Sequence, residues 1–139
     1  MAADNYTSVR DGLHATVATV TGIKAVLDYE PSAIDIHPLA WILLDSFERA
    51  GAPAGQIGRR VRFMVRVAAP VQDSKAAEDE LIAIAMMVGD AVERNKQFSG
   101  AITKGIAVPP DGRAGWINMG ATKVRVVDTF VSAYVKYDF

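Results

Sequence analysis

The chain has 139 residues, of which 50% are hydrophobic and 22% charged, and its 15 basic side chains nearly balance 16 acidic ones. This composition excludes a disordered or fibrous protein and is typical of one globular domain, with a core large enough to need no disulfide or metal. The lack of cysteine excludes a thiolate zinc site and a cysteine nucleophile, and the net charge of -1 disfavours a protein that coats nucleic acid electrostatically.

The first predicted element is a helix over residues 7–21, where apolar side chains recur at helical spacing. Asn5 or Thr7 can cap its N-terminus, and Gly22 can take the positive φ that often ends a helix. The apolar positions are Val9, Leu13, Val17 and Val20.

Extended segments follow. Residues 23–29 and 39–47 are predicted strands, separated by a turn at residues 30–32. A loop marked by Gly51, Pro53, Gly55 and Gly58 then leads into residues 60–67, where apolar and polar side chains alternate cleanly. Its two predicted faces carry Val61, Phe63, Val65 and Val67, and Arg60, Arg62, Met64 and Arg66.

A second helix is predicted from Asp73 or Ser74 to about Lys96. Its main apolar stripe can pack on a sheet, whereas Ile82, Met86 and Met87 form a second apolar patch that suggests a partner. The stripe consists of Ala77, Leu81, Ile84, Ala85, Val88 and Val92.

The last part of the chain is predicted to be extended. Two short strands surround a turn at residues 109–112, and a long strand covers residues 123–137. Its apolar alternation changes phase near Val126 and Val127, which suggests a bulge or corner. The order of elements predicts a single α/β (α+β) domain over residues 1–139: a two-layer sandwich with two main helices on one face of a mostly antiparallel or mixed sheet.

Motifs for catalysis, cofactors and metals are missing from the sequence. It has no Walker loop, dinucleotide fingerprint or nucleophile elbow. His14 and His37 lack metal-binding spacing, and the pair of Asp35 and His37 is a weak site at best. We therefore expect a protein that is not an enzyme, with no cofactor and no metal.

Membrane and export signals are also missing. The longest uncharged run, residues 12–23, is well short of the ~20 apolar residues of a membrane-spanning helix. The N-terminus has no apolar stretch typical of a secretory signal. The sequence predicts a protein without a membrane association that is made in a cytoplasm.

Charge is segregated along the chain. Residues 25–48 contain five acids and no basic residue, whereas residues 49–72 contain five arginines and no acid. One interpretation is a cross-strand lattice of ion pairs within one sheet. Another is that acidic and basic edges meet head to tail between neighbouring copies, and the arginine face could also line a passage for nucleic acid.

Several segments resemble, in order, the tail terminator (tail completion) proteins of long-tailed bacteriophages. Residues 22–31 (Gly-Ile-Lys-Ala-Val-Leu-Asp-Tyr-Glu-Pro) resemble that family's opening strand, and residues 37–40 (His-Pro-Leu-Ala) its next strand entry. The predicted strand 60–67, the helix 74–96 and the final strand ending in Tyr-Val-Lys-Tyr at residues 134–137 follow the same plan. The resemblance covers nearly the whole chain and is one of element order and strand texture.

This resemblance implies a hexameric ring of this chain at the head-proximal end of the tail tube. Such a ring stops tube polymerisation, docks the head-side connector or stopper protein and leaves a channel through which genomic DNA passes. The location implied is the neck of a virion assembled in the host cytoplasm. The family has no catalytic residues, so none are carried over.

Charge and exposed-strand texture nominate two sets of surface residues. For inter-subunit or channel surfaces they are Arg59, Arg60, Arg62, Arg66, Asp28, Glu30, Asp45 and Glu48; for a partner-contact loop they are Pro110, Asp111, Arg113 and Trp116. One alternative is a head-tail stopper or another neck ring protein, which would more often be a β-barrel with little helix. The others are a small α/β ligand-binding or enzymatic domain and a cellular regulatory binding module.

Overall fold

The computed structural model describes residues 5–35, 38–50, 56–70, 75–98 and 112–138. Within them the chain forms seven elements in the order helix, three strands, helix, two strands. Their bounds are α1 Tyr6–Ala18, β1 Ala25–Leu27, β2 Leu39–Ala50, β3 Gln56–Ala69, α2 Lys75–Arg94, β4 Arg113–Met119 and β5 Thr122–Asp138.

The five strands form one mixed sheet in the order β1-β2-β3-β5-β4. β1 and β2 run parallel, while the pairs β2/β3, β3/β5 and β5/β4 are antiparallel. β1 pairs with residues 39–41 of β2, and β4 pairs with residues 122–128 of β5. The predicted α+β fold, with a mostly antiparallel sheet, is confirmed.

α1 begins where its capping chemistry predicts. The Asn5 side chain accepts a hydrogen bond of 2.8 Å from the Ser8 backbone N–H. The helix ends at Ala18, three residues before the predicted end at residue 21. Just after this end, Thr19 Oγ1 donates a hydrogen bond to the carbonyl of Thr16. The following turn places Gly22 at φ 102°, the positive value expected of a glycine after a helix.

The main core lies between the helices and one face of the sheet, which we call the helix face. β3 confirms the predicted alternation, since its four apolar residues at 61, 63, 65 and 67 are buried there. The α2 stripe is also buried except for Ala77, which is exposed because it lies in the first turn of the helix. The two helices thus cover one face of the sheet, as predicted; the core includes Val9, Leu13, Val17, Ile42, Phe63, Leu81, Val88, Val131 and Val135.

A second, smaller core lies on the opposite face of the sheet, which we call the outer face. It is centred on Trp41, which is fully buried, with Leu39, Ala68, Val124 and Val126 around it. β5 therefore buries side chains on both faces, and this explains the phase change in its sequence.

The predicted bulge near Val126 and Val127 is wrong, because β5 pairs with β3 and β4 in unbroken register there. The register shift that the sheet does contain lies in β2, between Leu44 and Ser46. It lets Ser46 face Arg62 across the sheet and leaves Asp45 as the extra residue.

Other boundaries also differ from the predictions. β1 is shorter than residues 23–29, whereas β2 and β3 extend beyond residues 39–47 and 60–67. Gly58 belongs to β3 and not to a loop: a Cβ at this position would collide with the phenol of Tyr134, so glycine leaves room for that ring. Asp73, Ser74 and the predicted strand before the turn at residues 109–112 lie outside the described residues.

Candidate functional site

The charged side chains of the outer face are joined across strands of the same chain. Arg60 Nη1 lies 3.2 Å from Glu48 Oε1, and Arg62 Nε lies 3.6 Å from Asp45 Oδ2. Both pairs connect β3 to β2, where the register places Glu48 opposite Arg60 and Ser46 opposite Arg62. Two pairs of the segregated charges therefore lie across β2 and β3, as the cross-strand interpretation predicts.

Arg66, at the centre of the outer face, is held by a residue that the sequence analysis did not single out. It donates to both carboxylate oxygens of Asp128 on β5, at 2.7 and 3.0 Å. The hydrogen bond to Asp128 raises the pKa of Arg66 above its ordinary value, against the opposing effect of burial. This pair orders the sheet, and only the register of two distant strands reveals it.

The ring of Phe130 is contacted by two arginines beside the Arg66–Asp128 pair. The Arg62 guanidinium lies 4.2 Å from the Phe130 ring centroid and that of Arg113 lies 5.8 Å from it. Arg113 is the first residue of β4, and its side chain is 70% exposed with Asp128 Oδ2 3.9 Å away. It is a nominated residue that remains available at the surface.

Of the remaining nominated charges, Arg59 and Asp28 lie away from this cluster, and Glu30 interacts with it through its charge. Arg59 alternates with Arg60 along β3 and pairs with Arg49 and Val135, so it lies on the helix face. Asp28 Oδ1 lies 2.9 Å from Nδ1 of His14, which belongs to α1. Glu30 is exposed, and its charge helps to raise the pKa of Arg66.

Only part of the nominated partner-contact loop is described. Pro110 and Asp111 lie outside the described residues. Trp116 is exposed on β4, with Lys123 Nζ 4.9 Å and the Arg125 guanidinium 5.0 Å from its ring. The two tryptophans thus differ in role, since Trp41 belongs to a core and Trp116 to the surface.

Large apolar side chains are also exposed on β2 and α2. On β2, Leu44 is 41% and Phe47 is 65% exposed, and on α2 Met86 is 68% exposed with Met87 close by. The methionines belong to the patch that the sequence predicted. Phe47 was missed, because the β2 bulge decides that it lies opposite Val61 on the helix face.

One end of the sheet extends beyond its edge strands, and we call it the distal half. It consists of residues 42–50 of β2, 56–65 of β3 and 129–138 of β5. In the part of the chain that the structure describes, β1 and β4 stop short of this half, so the outer sides of β2 and β5 have no strand beside them there. Leu44 and Phe47 lie on this same half, so strand edges and apolar side chains are exposed together.

Among the described residues, no group of three or more His, Asp or Glu side chains is placed to hold a metal ion. His14 is engaged with Asp28, and His37 lies outside those residues. Neither described helix combines the length and apolar character that crossing a membrane requires.

Comparisons with known proteins find similar solved structures. No family model matches the chain, and no curated protein matches it. A solved chain titled "Virion of native gene transfer agent (GTA) particle" is 19% identical, with 95% of this chain and 91% of that chain aligned at a TM-score of 0.49. A likeness of this degree assigns neither a family nor a function.

Proposed function

We propose that the chain is a structural protein of a virion that works by assembly and not by catalysis. More specifically, it forms a hexameric ring at the head-proximal end of a phage tail tube. The ring ends tube polymerisation, offers the docking surface for the head-side connector and surrounds a channel for the genome.

The distal half of the sheet is the observation that carries this proposal. Strand edges in monomeric proteins are usually covered, shortened or charged, because an open edge pairs with other chains. Among the described residues, no strand lies beside the outer edge of β2 or β5 in the distal half, which also exposes Leu44 and Phe47. A surface of this kind is typical of a subunit that is completed by its neighbours.

The resemblance of the sequence to tail terminator proteins supports the proposed ring at the end of the tail tube. It implies a small protein with helices packed on a sheet, and the structure has α1, β1, β2, β3, α2 and a long final strand in the expected order. The alternative of a head-tail stopper implies a β-barrel with little helix, whereas α1 and α2 contain 13 and 20 residues here. The two helices favour the terminator.

The mechanism we propose is steric and electrostatic. One surface of the ring binds the last ring of tube protein, and neighbouring copies close by head-to-tail contacts. The opposite surface differs from a tube subunit, so that no further tube ring adds. Arg60, Arg62 and Arg66 each form an ion pair with an acidic side chain of the same chain. These acids partly neutralise the positive charge that the arginines would present to DNA in the channel.

A deletion of this gene from its phage tests the proposal. Electron microscopy of the lysate should show overlong tails without heads, and supplying the wild-type gene on a plasmid should restore tail length. Tails of normal length that fail to join filled heads would instead assign a connector on the head side. Intact infectious particles would refute both roles.

A further inference from the structure

We propose that an exposed flank of α2 in one copy packs against the exposed helix face of β2 in a second copy, and that repeats of this contact close the ring. This inference rests on the proposed ring and names the two surfaces that join its subunits. We call them the α2 flank, which consists of Ile82, Met86 and Glu93, and the β2 strip, which consists of Leu44, Phe47 and Arg49.

The α2 flank lies on the side of the helix that faces away from α1. The α2 residues that line a groove with the end of α1 are Met87, Asp90, Ala91 and Arg94. At about 100° per residue, the α2 flank lies about 110° around the helix from this groove and about 120° from the buried stripe. Met86 is 68% exposed there, and Glu93 is exposed without an ion pair to any described residue.

The β2 strip is a part of the helix face that the two helices leave largely uncovered. In the distal half, the buried side chains of this face belong to β3 and β5. Their neighbours on β2 are exposed: Leu44, opposite Phe63, to 41%, and Phe47, opposite Val61, to 65%. Arg49 is exposed at the end of the same strip. The strip thus presents two apolar side chains followed by a cation.

The positive charge of the β2 strip is not balanced within the described part of the chain. Arg49 and Arg59 lie directly opposite each other on one face, and like charges in this position are unfavourable in a sheet. Arg59 Nη1 donates to the carbonyl of Gly58 at 3.1 Å, and no described acid forms an ion pair with either arginine. A carboxylate from another molecule would offset this repulsion, and Glu93 ends the α2 flank with one.

The two surfaces lie toward opposite sides of the molecule. Arg125 Nε of β5 lies 2.8 Å from Glu78 Oε1 in the first turn of α2, so α2 lies toward the β4 side of the sheet. His14 Nδ1 of α1 lies 2.9 Å from Asp28 Oδ1, just after β1, so α1 lies toward the β1 side, where β2 is also found. A contact between two different sides is heterologous, and its repeats close into a ring when the rotation allows it.

The order of side chains is the same along both surfaces. Ile82 and Met86 are one helical turn apart, about 6 Å. Leu44 and Phe47 lie opposite Phe63 and Val61, two rows of the sheet or about 7 Å apart. An opposite charge follows the apolar pair on each surface, on long side chains. With α2 and β2 aligned in one direction, Phe47 meets Met86 and Arg49 meets Glu93.

Engineered cysteines test the contact, because the chain has no cysteine of its own. In an equimolar mixture of the full-length Phe47→Cys and Met86→Cys variants, any disulfide between positions 47 and 86 joins two copies. After mild oxidation we expect at least tenfold more dimer from the mixture than from either variant alone. The variant with both changes should give a ladder up to the hexamer. Both purified protein over a range of concentrations and tails from a complemented deletion lysate are assayed on non-reducing gels.

The controls make this result specific. Tyr29→Cys replaces a side chain that is 62% exposed but lies after β1, and its mixture with Met86→Cys should give no more dimer than the single variants. Strong dimers of Met86→Cys alone would show a two-fold α2 contact and overturn the proposal. The absence of a disulfide between positions 47 and 86 in both preparations would also overturn it. So would a Phe47→Cys protein that carries a bulky maleimide and still forms hexamers but no longer caps tails, because the β2 strip would then bind the tube.

Charge reversal gives an independent readout of the same contact. Arg49→Glu and Glu93→Arg should each lower the yield of the disulfide between positions 47 and 86 at least tenfold, and the two changes together should restore it. The matched control is Arg60→Glu, which reverses an exposed arginine of the outer face and should leave the yield unchanged. Failure of the combined reversal to restore the disulfide would contradict the alignment.

The cysteine assay and the tail phenotype fail separately. Rings that cap tubes while positions 47 and 86 do not cross-link would refute the contact and leave the proposed function standing. A ladder from a protein whose deletion leaves tails unchanged would establish the contact and refute the proposed function.

Discussion

Asp128 accepts two hydrogen bonds from Arg66, at 2.7 and 3.0 Å, in the middle of a sheet whose other side is the main core. The two residues are directly opposite each other on β3 and β5, and Asp128 is almost completely buried. Arg66 keeps a side-chain exposure of only 15%. A buried carboxylate with a bidentate arginine partner is strongly ordered, so the pair fixes the register of the two longest strands.

Removal of one partner should be costly. We expect Asp128→Asn to lower the free energy of unfolding by about 3 kcal/mol, because it leaves the Arg66 guanidinium mostly buried without its counter-charge. Urea denaturation followed by circular dichroism measures this change. The matched control is Glu48→Gln, which breaks the exposed pair with Arg60 and should cost less than about 1 kcal/mol. Equal losses in the two variants would contradict the special role of Asp128.

Gly58 offers a test of packing between β3 and β5. We expect Gly58→Ala to destabilise the protein by about 1–3 kcal/mol, because the added Cβ collides with the ring of Tyr134. Tyr134→Ala in the same chain removes the collision, so the double variant should lose less than the sum of the two single losses. Gly89→Ala is the control: a Cβ there meets no atom within 4 Å in the middle of α2, and it should stabilise the protein by about 0.5–1 kcal/mol. A similar loss at both glycines would argue against the contact.

The local elements could be predicted from the sequence because short-range patterns determine them. The alternation of β3, the apolar stripe of α2 and the cap at Asn5 each depend on neighbouring residues, and each is found in the structure. The two-layer arrangement followed from the order of these elements.

The contacts of the surface depend on long-range register, which one sequence does not contain. Asp128 meets Arg66 across 62 positions of sequence, and no local pattern marks it as the partner. The bulge between Leu44 and Ser46 likewise decides which face Phe47 occupies. The apparent bulge at Val126 had a different cause, since a second core around Trp41 makes both faces of β5 apolar.

The N-cap of α1 provides a local test of stability. Asn5→Ala should cost about 1 kcal/mol, because the Ser8 N–H then loses its side-chain acceptor, and this corresponds to a fall of about 4 °C in Tm. Asn5→Asp keeps an oxygen acceptor at the same place and should change Tm by less than about 2 °C. Thermal melts followed by circular dichroism compare the two variants. Equal shifts would show that the cap does not limit the stability of this helix.

Substitutions at Leu44 and Phe47 separate an effect on assembly from an effect on folding. Phe47 is 65% exposed in the single chain, so Phe47→Ser should change the free energy of unfolding by no more than about 0.5 kcal/mol. Leu44 is 41% exposed, so Leu44→Ser should cost about 1 kcal/mol. The same changes should lower the yield of capped tails sharply in a complementation assay, since they remove apolar area from the distal half of the sheet. Tyr29→Ser is the matched control, as Tyr29 is comparably exposed but lies after β1, outside the distal half, and it should complement normally. Normal tails from both β2 variants would show that this part of the sheet is not an assembly surface, whereas a large loss of stability in them would show that the two side chains belong to the fold.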